Sequence, residues 1–330
     1  MKIDVHNHIY PKSFLERLES DGGSAEIIVE KDEWKRPIIV QKGNRVVTIT
    51  PPMNDVRKRL EDMDRAGFNV QILSLSIPSV DMFPLEIGEI LAQVVNDEIA
   101  EICREHPGRF MGLATLPFLD PNRTVKELER CIDTLEFKGV SIGSNINGMG
   151  LDNKLLYPFY ERISDYDLPI HLHPRAPTDK ETYRDYRLGP MIGFEMELCV
   201  AVVRLVMSGV MERFPKLRFI VSHLGGAIPY LAQRIQNCYE AYPECQANIS
   251  GEATDYLKRF YYDTVSFSEP ALMCAYSFVG ADRLILGSDY PHVIGNIDEA
   301  ITSIEKLGIP SQEKEKIYSE NILRLIHNDT

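Results

Sequence analysis

Two histidines separated by one residue, His6 and His8, stand near the start of the chain. The residues before them, Lys2 to Val5, alternate in polarity and include β-branched side chains, which predicts a short strand. Side chains alternate between the faces of a strand, so both imidazoles point the same way at its end. Such a pair can bind one metal ion, because imidazole is neutral at pH 7 and suits Zn, Fe, Mn or Ni. Taken alone, the pair could equally be two surface histidines near a terminus.

More histidines and a carboxylate follow other predicted strands. His171 and His173 end one strand, and His223 ends the next. Asp289 comes directly after a strand near the end of the chain. Five of the eight histidines therefore lie at three strand ends, which is typical of a mononuclear metal site with nitrogen and oxygen ligands. His171 lies one pleat inside His173, so we expect it to contact substrate or to be a buried core imidazole.

Several polar residues have simpler interpretations. Asp289 could merely cap the turn that follows its strand, although the small residues before it allow a close approach to the centre. We interpret His292 as a loop histidine, although its position in the sequence would let it reach the site. Asp263, at the end of another strand, is interpreted as structural. His106 precedes Pro-Gly and is predicted to be solvated.

The elements that must position these residues alternate along the chain. Eight apolar segments predict strands, and helical segments follow most of them: 3–5, 70–75, 110–115, 139–142, 169–173, 218–223, 260–264 and 283–286. This alternation predicts an α/β protein with a parallel sheet covered on both faces, and eight units predict a (β/α)8 TIM barrel. An open doubly wound sheet is the competitor, but no GxGxxG follows any strand. In such a barrel, catalytic groups lie at the carboxyl ends of the strands.

A β-rich segment separates the first strand from the helix that follows. It contains three short apolar pieces at 26–29, 37–40 and 46–49. Lys42-Gly43-Asn44 between two of them predicts a hairpin. We therefore expect residues 11–50 to form an inserted β cap within a single metal-dependent hydrolase-type barrel of residues 1–330.

Composition limits the partners and the location. The formal net charge is −13, which argues against nucleic acid or an anionic membrane as partner. No apolar run approaches the roughly 20 residues of a membrane span, and the N-terminus lacks a signal-peptide pattern. The six cysteines have no CxxC spacing, which fits a reducing compartment, so we expect a cytoplasmic protein.

Several motifs together resemble the amidohydrolase superfamily. The resemblance is to the amidohydrolase-2 branch, which includes aminocarboxymuconate-semialdehyde decarboxylase and the γ-resorcylate and 5-carboxyvanillate decarboxylases. It covers nearly the whole chain, in residues 3–11, 112–117, 137–143, 172–175, 214–217, 222–230 and 286–292. Each motif is weak alone, but the combination is specific.

The resemblance implies one divalent metal ion and its ligands. The implied ligands are His6, His8, His173 and Asp289. His173 matches rather than His171, because the family's ligand precedes proline. Residues 139–143 contain no lysine that could be carboxylated to bridge two metals, so one ion is expected. Zinc is expected first, and manganese fits the same ligands.

The resemblance also implies roles around the metal. His223 matches the residue that activates metal-bound water or positions the substrate, so His223 and Asp289 are the predicted catalytic residues. The predicted substrate-binding residues are Arg234, Arg175, His171 and Glu197. The arginine that matches Arg234 reaches a neighbouring subunit's site in the semialdehyde decarboxylase, which implies a homodimer. A second carboxylate-binding arginine of that enzyme has no counterpart in residues 47–52, so that particular substrate is not implied.

These features predict a metal-dependent non-oxidative decarboxylase whose partner is a small unsaturated or aromatic carboxylic acid. The alternative is a metal-dependent hydrolase, a lactonase or amidohydrolase, because the same ligands can activate water. The family motifs favour decarboxylation. A barrel that binds metal or ligand without turnover is a non-enzymatic alternative, but a structural site normally closes its coordination and needs no spare histidine.

Overall fold

A computed structural model describes residues 1–179 and 181–327. The chain forms two compact units. The N-terminal unit contains Lys2–Ser141 and Ser288–Asp298. The C-terminal unit contains Met1, Ile142–Gly287 and the chain from Glu299 onward.

A parallel sheet lies in the N-terminal unit. The strands of this unit are β1 (Ile3–His8), β2 (Ile27–Lys31), β3 (Pro37–Gln41), β4 (Asn44–Thr48), β5 (Val70–Ser74) and β6 (Phe110–Gly112). The parallel sheet has the order β1-β5-β6. Every residue of β1 and β5 is buried, as expected for a parallel sheet that is covered on both faces. The polar residues of β1 are therefore held inside the protein.

The strands β2, β3 and β4 form a separate antiparallel sheet. The hairpin predicted at Lys42-Gly43-Asn44 is confirmed, because Gln41 pairs with Asn44. Lys42 and Gly43 both have positive φ, 50° and 75°, which is the conformation of a tight type I′ turn.

Helices follow the strands in this unit. They are α1 (Lys12–Asp21), α2 (Pro51–Asn54), α3 (Val56–Ala66), α4 (Leu85–Glu105) and α5 (Pro121–Glu129). The helix α1 lies in the segment that the sequence suggested would be β-rich. It forms because Phe14 and Leu18, four residues apart, bury one face of the helix. The Asp55 side chain caps α3 by accepting from the Lys58 N–H, and Gly67 ends it at a φ of 85°.

The C-terminal unit contains a five-stranded sheet in the order β13-β12-β11-β10-β7. The strands are β7 (Val140–Gly143, which begins just before this unit), β8 (Asn145–Ile146), β9 (Met149–Gly150), β10 (Ile170–His173), β11 (Phe219–Val221), β12 (Tyr261–Asp263) and β13 (Leu284–Ile285). The pairs from β10 to β13 are parallel. The short strands β8 and β9 form an antiparallel pair.

The remaining helices are α6 (Tyr157–Tyr166), α7 (Phe194–Met207), α8 (Val210–Arg213), α9 (Ile228–Ala241), α10 (Ala253–Leu257), α11 (Glu269–Val279), α12 (Ile297–Glu305), α13 (Ser311–Glu315) and α14 (Asn321–His327). All eight predicted strand segments contain an observed strand, so the predicted α/β class with parallel sheets is confirmed. Among the described residues, no helix is both long and apolar enough to cross a bilayer.

Candidate metal centre

His6 and His8 meet Asp289 inside the N-terminal unit. Both histidine side chains are completely buried, and Asp289 is 3% exposed. The Asp289 Oδ1 atom lies 3.3 Å from Nε2 of His6 and 3.3 Å from Nε2 of His8. Three potential ligand atoms, two nitrogens and one oxygen, therefore converge.

The hydrogen bonds of His8 indicate which ring nitrogen could bind a metal. The Ser74 hydroxyl donates its one hydrogen to the Asn7 carbonyl, at 2.9 Å. The same hydroxyl oxygen lies 3.2 Å from His8 Nδ1. Because its hydrogen is already donated, the oxygen accepts there, so Nδ1 carries the proton. Nε2 then carries a lone pair, which faces the Asp289 carboxylate. Two electron-rich atoms in contact are stabilised by a cation between them.

The protonation states also fit a cation. Burial lowers the pKa of His8 well below its ordinary value. Neutral imidazole and ionised carboxylate are the forms that bind metal. The donor set fits one divalent ion that accepts mixed nitrogen and oxygen ligands.

The backbone around Asp289 brings its carboxylate to this position. Asp289 has a φ of 54°, in the left-handed region, which aspartate tolerates better than most residues. Its N–H donates to the His6 carbonyl at 2.8 Å. Gly295 lies so close that a β-carbon there would be 2.1 Å from the Asp289 carbonyl oxygen. The glycine therefore allows the loop after Asp289 to fold back on it.

A fully buried arginine on helix α3, Arg59, holds strand β1 in place through hydrogen bonds. Its guanidinium donates to Gln71 Oε1 at 2.8 Å, to Asn7 Oδ1 at 3.1 Å and to the His8 carbonyl. The Tyr290 ring lies under the guanidinium at 4.9 Å. Burial lowers the pKa of Arg59 to about 10, so it stays charged at neutral pH.

Asp4 ties the strand β1 to the segment that carries Asp289. It is fully buried and accepts from the Ser288 hydroxyl at 2.6 Å and from the Gln71 side-chain amide at 2.9 Å. Burial raises the pKa of Asp4 to about 6. Sequence reasoning missed Asp4 and Arg59 as parts of the site. Asp4 had a signal in the sequence, because it is a charged residue between the apolar residues of a predicted strand, but this signal identifies no partner. Arg59 had no such signal, because its neighbours in the sequence are also charged.

We expect Arg59→Ala to lower the free energy of unfolding by about 3–5 kcal/mol, because it leaves several buried acceptors without their donor. Arg57→Ala, an exposed position on the same helix, is the matched control and should change stability by less than about 0.5 kcal/mol. Urea unfolding followed by circular dichroism measures both. Equal stability of the two variants would contradict the bracing role.

His292 lies in the loop after Asp289, as interpreted from the sequence, and its ring lies beside the cluster. Its Nε2 lies 3.0 Å from the Ser76 hydroxyl. Its ring centre is 4.9 Å from that of His8 and 6.4 Å from that of Tyr10. Burial lowers its pKa, which favours a neutral ring. The sequence placed it only a few residues after Asp289, and its side-chain direction depended on the loop.

Three other predicted histidines lie near one another in the C-terminal unit. The ring centre of His173 is 6.3 Å from those of both His171 and His223. His173 Nδ1 lies 3.1 Å from the Pro174 carbonyl oxygen, which can only accept, so Nδ1 carries the proton. Its Nε2 is then the nitrogen with a lone pair for a metal. His171 is 1% exposed, and its Nε2 lies 3.3 Å from the Ser222 hydroxyl.

The other three predicted residues differ in their surroundings. The Glu197 carboxylate accepts from the Asn145 side chain at 3.0 Å and from the Thr178 N–H at 3.4 Å, so it connects strand β8 with the loop that contains Thr178. Arg175 is half-buried, and its side chain crosses directly over Gly143, where a β-carbon would lie 2.2 Å from Arg175 Nε. Arg234 is exposed on α9.

Comparisons with known proteins found a matching family model and several relatives. The family model described as amidohydrolase matches residues 3–327. The 2-amino-3-carboxymuconate-6-semialdehyde decarboxylase of Dictyostelium discoideum is 29% identical, over 100% of this chain and 92% of that protein. A γ-resorcylate decarboxylase of Rhizobium sp. is 32% identical, over 82% of this chain and 86% of that protein. A dihydroxybenzoic acid decarboxylase structure from Polaromonas sp., with bound manganese and the inhibitor 2-nitroresorcinol, has a TM-score of 0.81 at 29% identity, covering 100% of this chain and 97% of that one.

Proposed function

Since the chain belongs to the amidohydrolase family, we propose that it is a metal-dependent carboxy-lyase that decarboxylates an unsaturated or aromatic carboxylic acid without oxidation. The observation that carries this proposal is the convergence of His6, His8 and Asp289 in a chain whose relatives above are decarboxylases. The substrate is a small molecule.

The proposed cofactor is one divalent metal ion held by His6, His8 and Asp289. His173 is the proposed fourth ligand, supported by its proton on Nδ1 and by the proline that follows it. When bound, the ion would act as a Lewis acid and would offset the negative charge that develops on the substrate. Zinc remains the proposed native metal. Manganese is the alternative, supported by the manganese in the Polaromonas structure.

The reaction needs a proton at the carbon that loses CO2. The bond between that carbon and the carboxylate breaks, its electron pair stays on the carbon, and a proton takes the place of CO2. We assign this proton transfer to Asp289 and His223. Burial of Asp289 supports this, because a dry site strengthens the electrostatic interactions that stabilise the developing charge.

Four residues are proposed to contact the substrate. Arg175 is the proposed partner of the substrate carboxylate, because a guanidinium can bind a carboxylate with two hydrogen bonds and Gly143 fixes the path of its side chain. His171 and Glu197 are retained as residues that border the substrate. Arg234 would act on a neighbouring subunit's site, and its exposure on α9 leaves it available for that role.

We also propose that the eight parallel strands close into one (β/α)8 barrel domain of residues 1–330, with residues 11–50 as an inserted cap. Isolated parallel bridges support closure, because they extend the sheet of the N-terminal unit at Asn7–Tyr290 and at Ala114–Val140. A homodimer and a cytoplasmic location complete the proposal. The free state of all six cysteines supports a reducing compartment.

The test is a substrate panel on purified protein of known metal content. Hydroxylated benzoic acids and unsaturated dicarboxylic acids are assayed for CO2 release, and lactones and amides for acid release. We expect CO2 release from at least one acid, its loss after chelation, and its recovery with added Mn²⁺ or Zn²⁺. Acid release from a lactone or amide with no CO2 from any acid would make the protein a hydrolase instead.

We expect Gly143→Ala to raise the KM for the acid by about 10–100-fold, because the new β-carbon displaces Arg175 and weakens a charge-assisted contact worth about 1.5–3 kcal/mol. Gly189→Ala in the same unit is the control, since no atom lies within 4 Å of its added β-carbon. Steady-state kinetics of CO2 release measure both variants. A KM near the wild-type value in Gly143→Ala would remove Arg175 from the carboxylate site.

A further inference from the structure

The segment from His223 to Gly226 has a left-handed backbone conformation. Four consecutive residues have positive φ: His223 at 52°, Leu224 at 55°, Gly225 at 72° and Gly226 at 62°. Left-handed conformations are costly for residues other than glycine, so the surroundings must impose them on His223 and Leu224. Part of this constraint is the His223 N–H, which donates to the buried Asp263 Oδ1 at 2.8 Å.

Helix α7 supplies the other part of the constraint. It packs so closely that a β-carbon on Gly226 would lie 2.3 Å from the Glu195 carbonyl oxygen. One turn further along α7, the Cys199 sulfur accepts from the Ala227 N–H at 3.1 Å. The first turn of α7 and the His223 segment are therefore fixed against each other through their backbones.

The same turn of α7 places a carboxylate beside the His223 ring. Glu195 Oε1 lies 3.8 Å from His223 Nδ1. The side chains are 29% and 13% exposed, so water screens this contact only partly. A carboxylate beside one imidazole nitrogen favours a proton on that nitrogen and fixes the plane of the ring.

We propose that Glu195 is the positioning residue of His223. It holds Nδ1 as the protonated nitrogen and leaves Nε2, on the other side of the ring, to exchange a proton with the substrate. Asp263 sets the backbone of His223 and Glu195 sets its ring, so the imidazole is oriented by two independent carboxylates. This inference rests on the proposed function, because it assigns Glu195 a role in the proton transfer of decarboxylation.

The test compares Glu195→Gln, which keeps the shape of the side chain and removes its charge, with Glu195→Asp and the wild type. We expect kcat for CO2 release to fall about 10–100-fold in Glu195→Gln while KM, metal content and thermal stability stay near their wild-type values. Glu195→Asp, which keeps the charge, should recover part of kcat. Glu161→Gln, at an exposed site on α6, is the matched control and should behave as the wild type.

A second readout does not depend on turnover. Long-range ¹H–¹⁵N spectra of histidine-labelled protein report which nitrogen of each ring is protonated, and His223→Gln identifies the His223 signals. We expect a proton on Nδ1 of His223 in the wild type and a mixture of the two tautomers in Glu195→Gln.

Three outcomes separate the proposals. A wild-type tautomer with its proton on Nε2, or an unchanged kcat in Glu195→Gln, overturns the role of Glu195. A fall in kcat that accompanies loss of metal or of thermal stability also overturns it, since the role would then be structural. If the wild type releases no CO2 from any acid, the proposed decarboxylase function fails, and the tautomer spectra still decide the contact between Glu195 and His223.

Discussion

The His173→Ala variant is expected to lose both its bound metal and its decarboxylase activity. In the wild type, Nδ1 of His173 donates its proton to the Pro174 carbonyl oxygen, so Nε2 is the nitrogen that would bind the ion. Mutating a residue that only orients a metal ligand typically lowers metal affinity or activity by about 10–100-fold. Removing the ligand itself should cause a larger loss. Elemental analysis of the purified variant, together with its rate of CO2 release, measures both losses.

The control for this prediction is His106→Ala. His106 follows helix α4, and its ring packs edge-on against Phe110 at 5.9 Å. This contact is local, so the variant should keep both metal and activity. If His173→Ala instead purifies with the wild-type metal content, His173 is not a ligand.

The second large effect is expected for Asp289→Asn, with kcat for CO2 release at least about 1000-fold lower. Asparagine tolerates the left-handed φ of 54° at this position, so the loop should keep its conformation. The amide removes the negative charge that faces His6 and His8 and cannot carry the proton. General acid–base groups typically contribute about 10²–10⁴-fold, and loss of a metal ligand adds to this.

The measurement for Asp289→Asn is single-turnover CO2 release at matched metal content. Asp165→Asn, an exposed carboxylate on α6, is the control for the general effect of removing a charge. A kcat within about tenfold of the wild type in Asp289→Asn would exclude Asp289 from the proton transfer.

The family and the strand-end histidines could be recognised because they are encoded locally. His6 and His8 share a face because strand side chains alternate, and no distant residue is needed to establish it. Asp289 follows an apolar strand directly, so its position at a strand end could also be predicted from the sequence. Helix α1 could not be predicted in this way. The spacing of Phe14 and Leu18 indicates a helix only once the face that they bury is known.

Other features depended on contacts between distant segments. Arg59 reaches Asn7 across 52 positions of sequence, and Ser288 reaches Asp4 across 284. Nothing near Arg59 in the sequence distinguishes it from the exposed Arg57. The Glu195–His223 contact is similar, because it requires that helix α7 pack against a left-handed turn.

The sequence by itself determined which side chains could bind a metal and at which strand ends they stand, because side-chain alternation and strand boundaries are local properties. Only the tertiary structure decided which nitrogen of His8 and His173 is free of its proton, which buried charges brace the ligands, and that His292 turns toward His8. Those outcomes depend on hydrogen-bond partners and packing brought together by the fold, and partners that are distant in the sequence leave no local pattern.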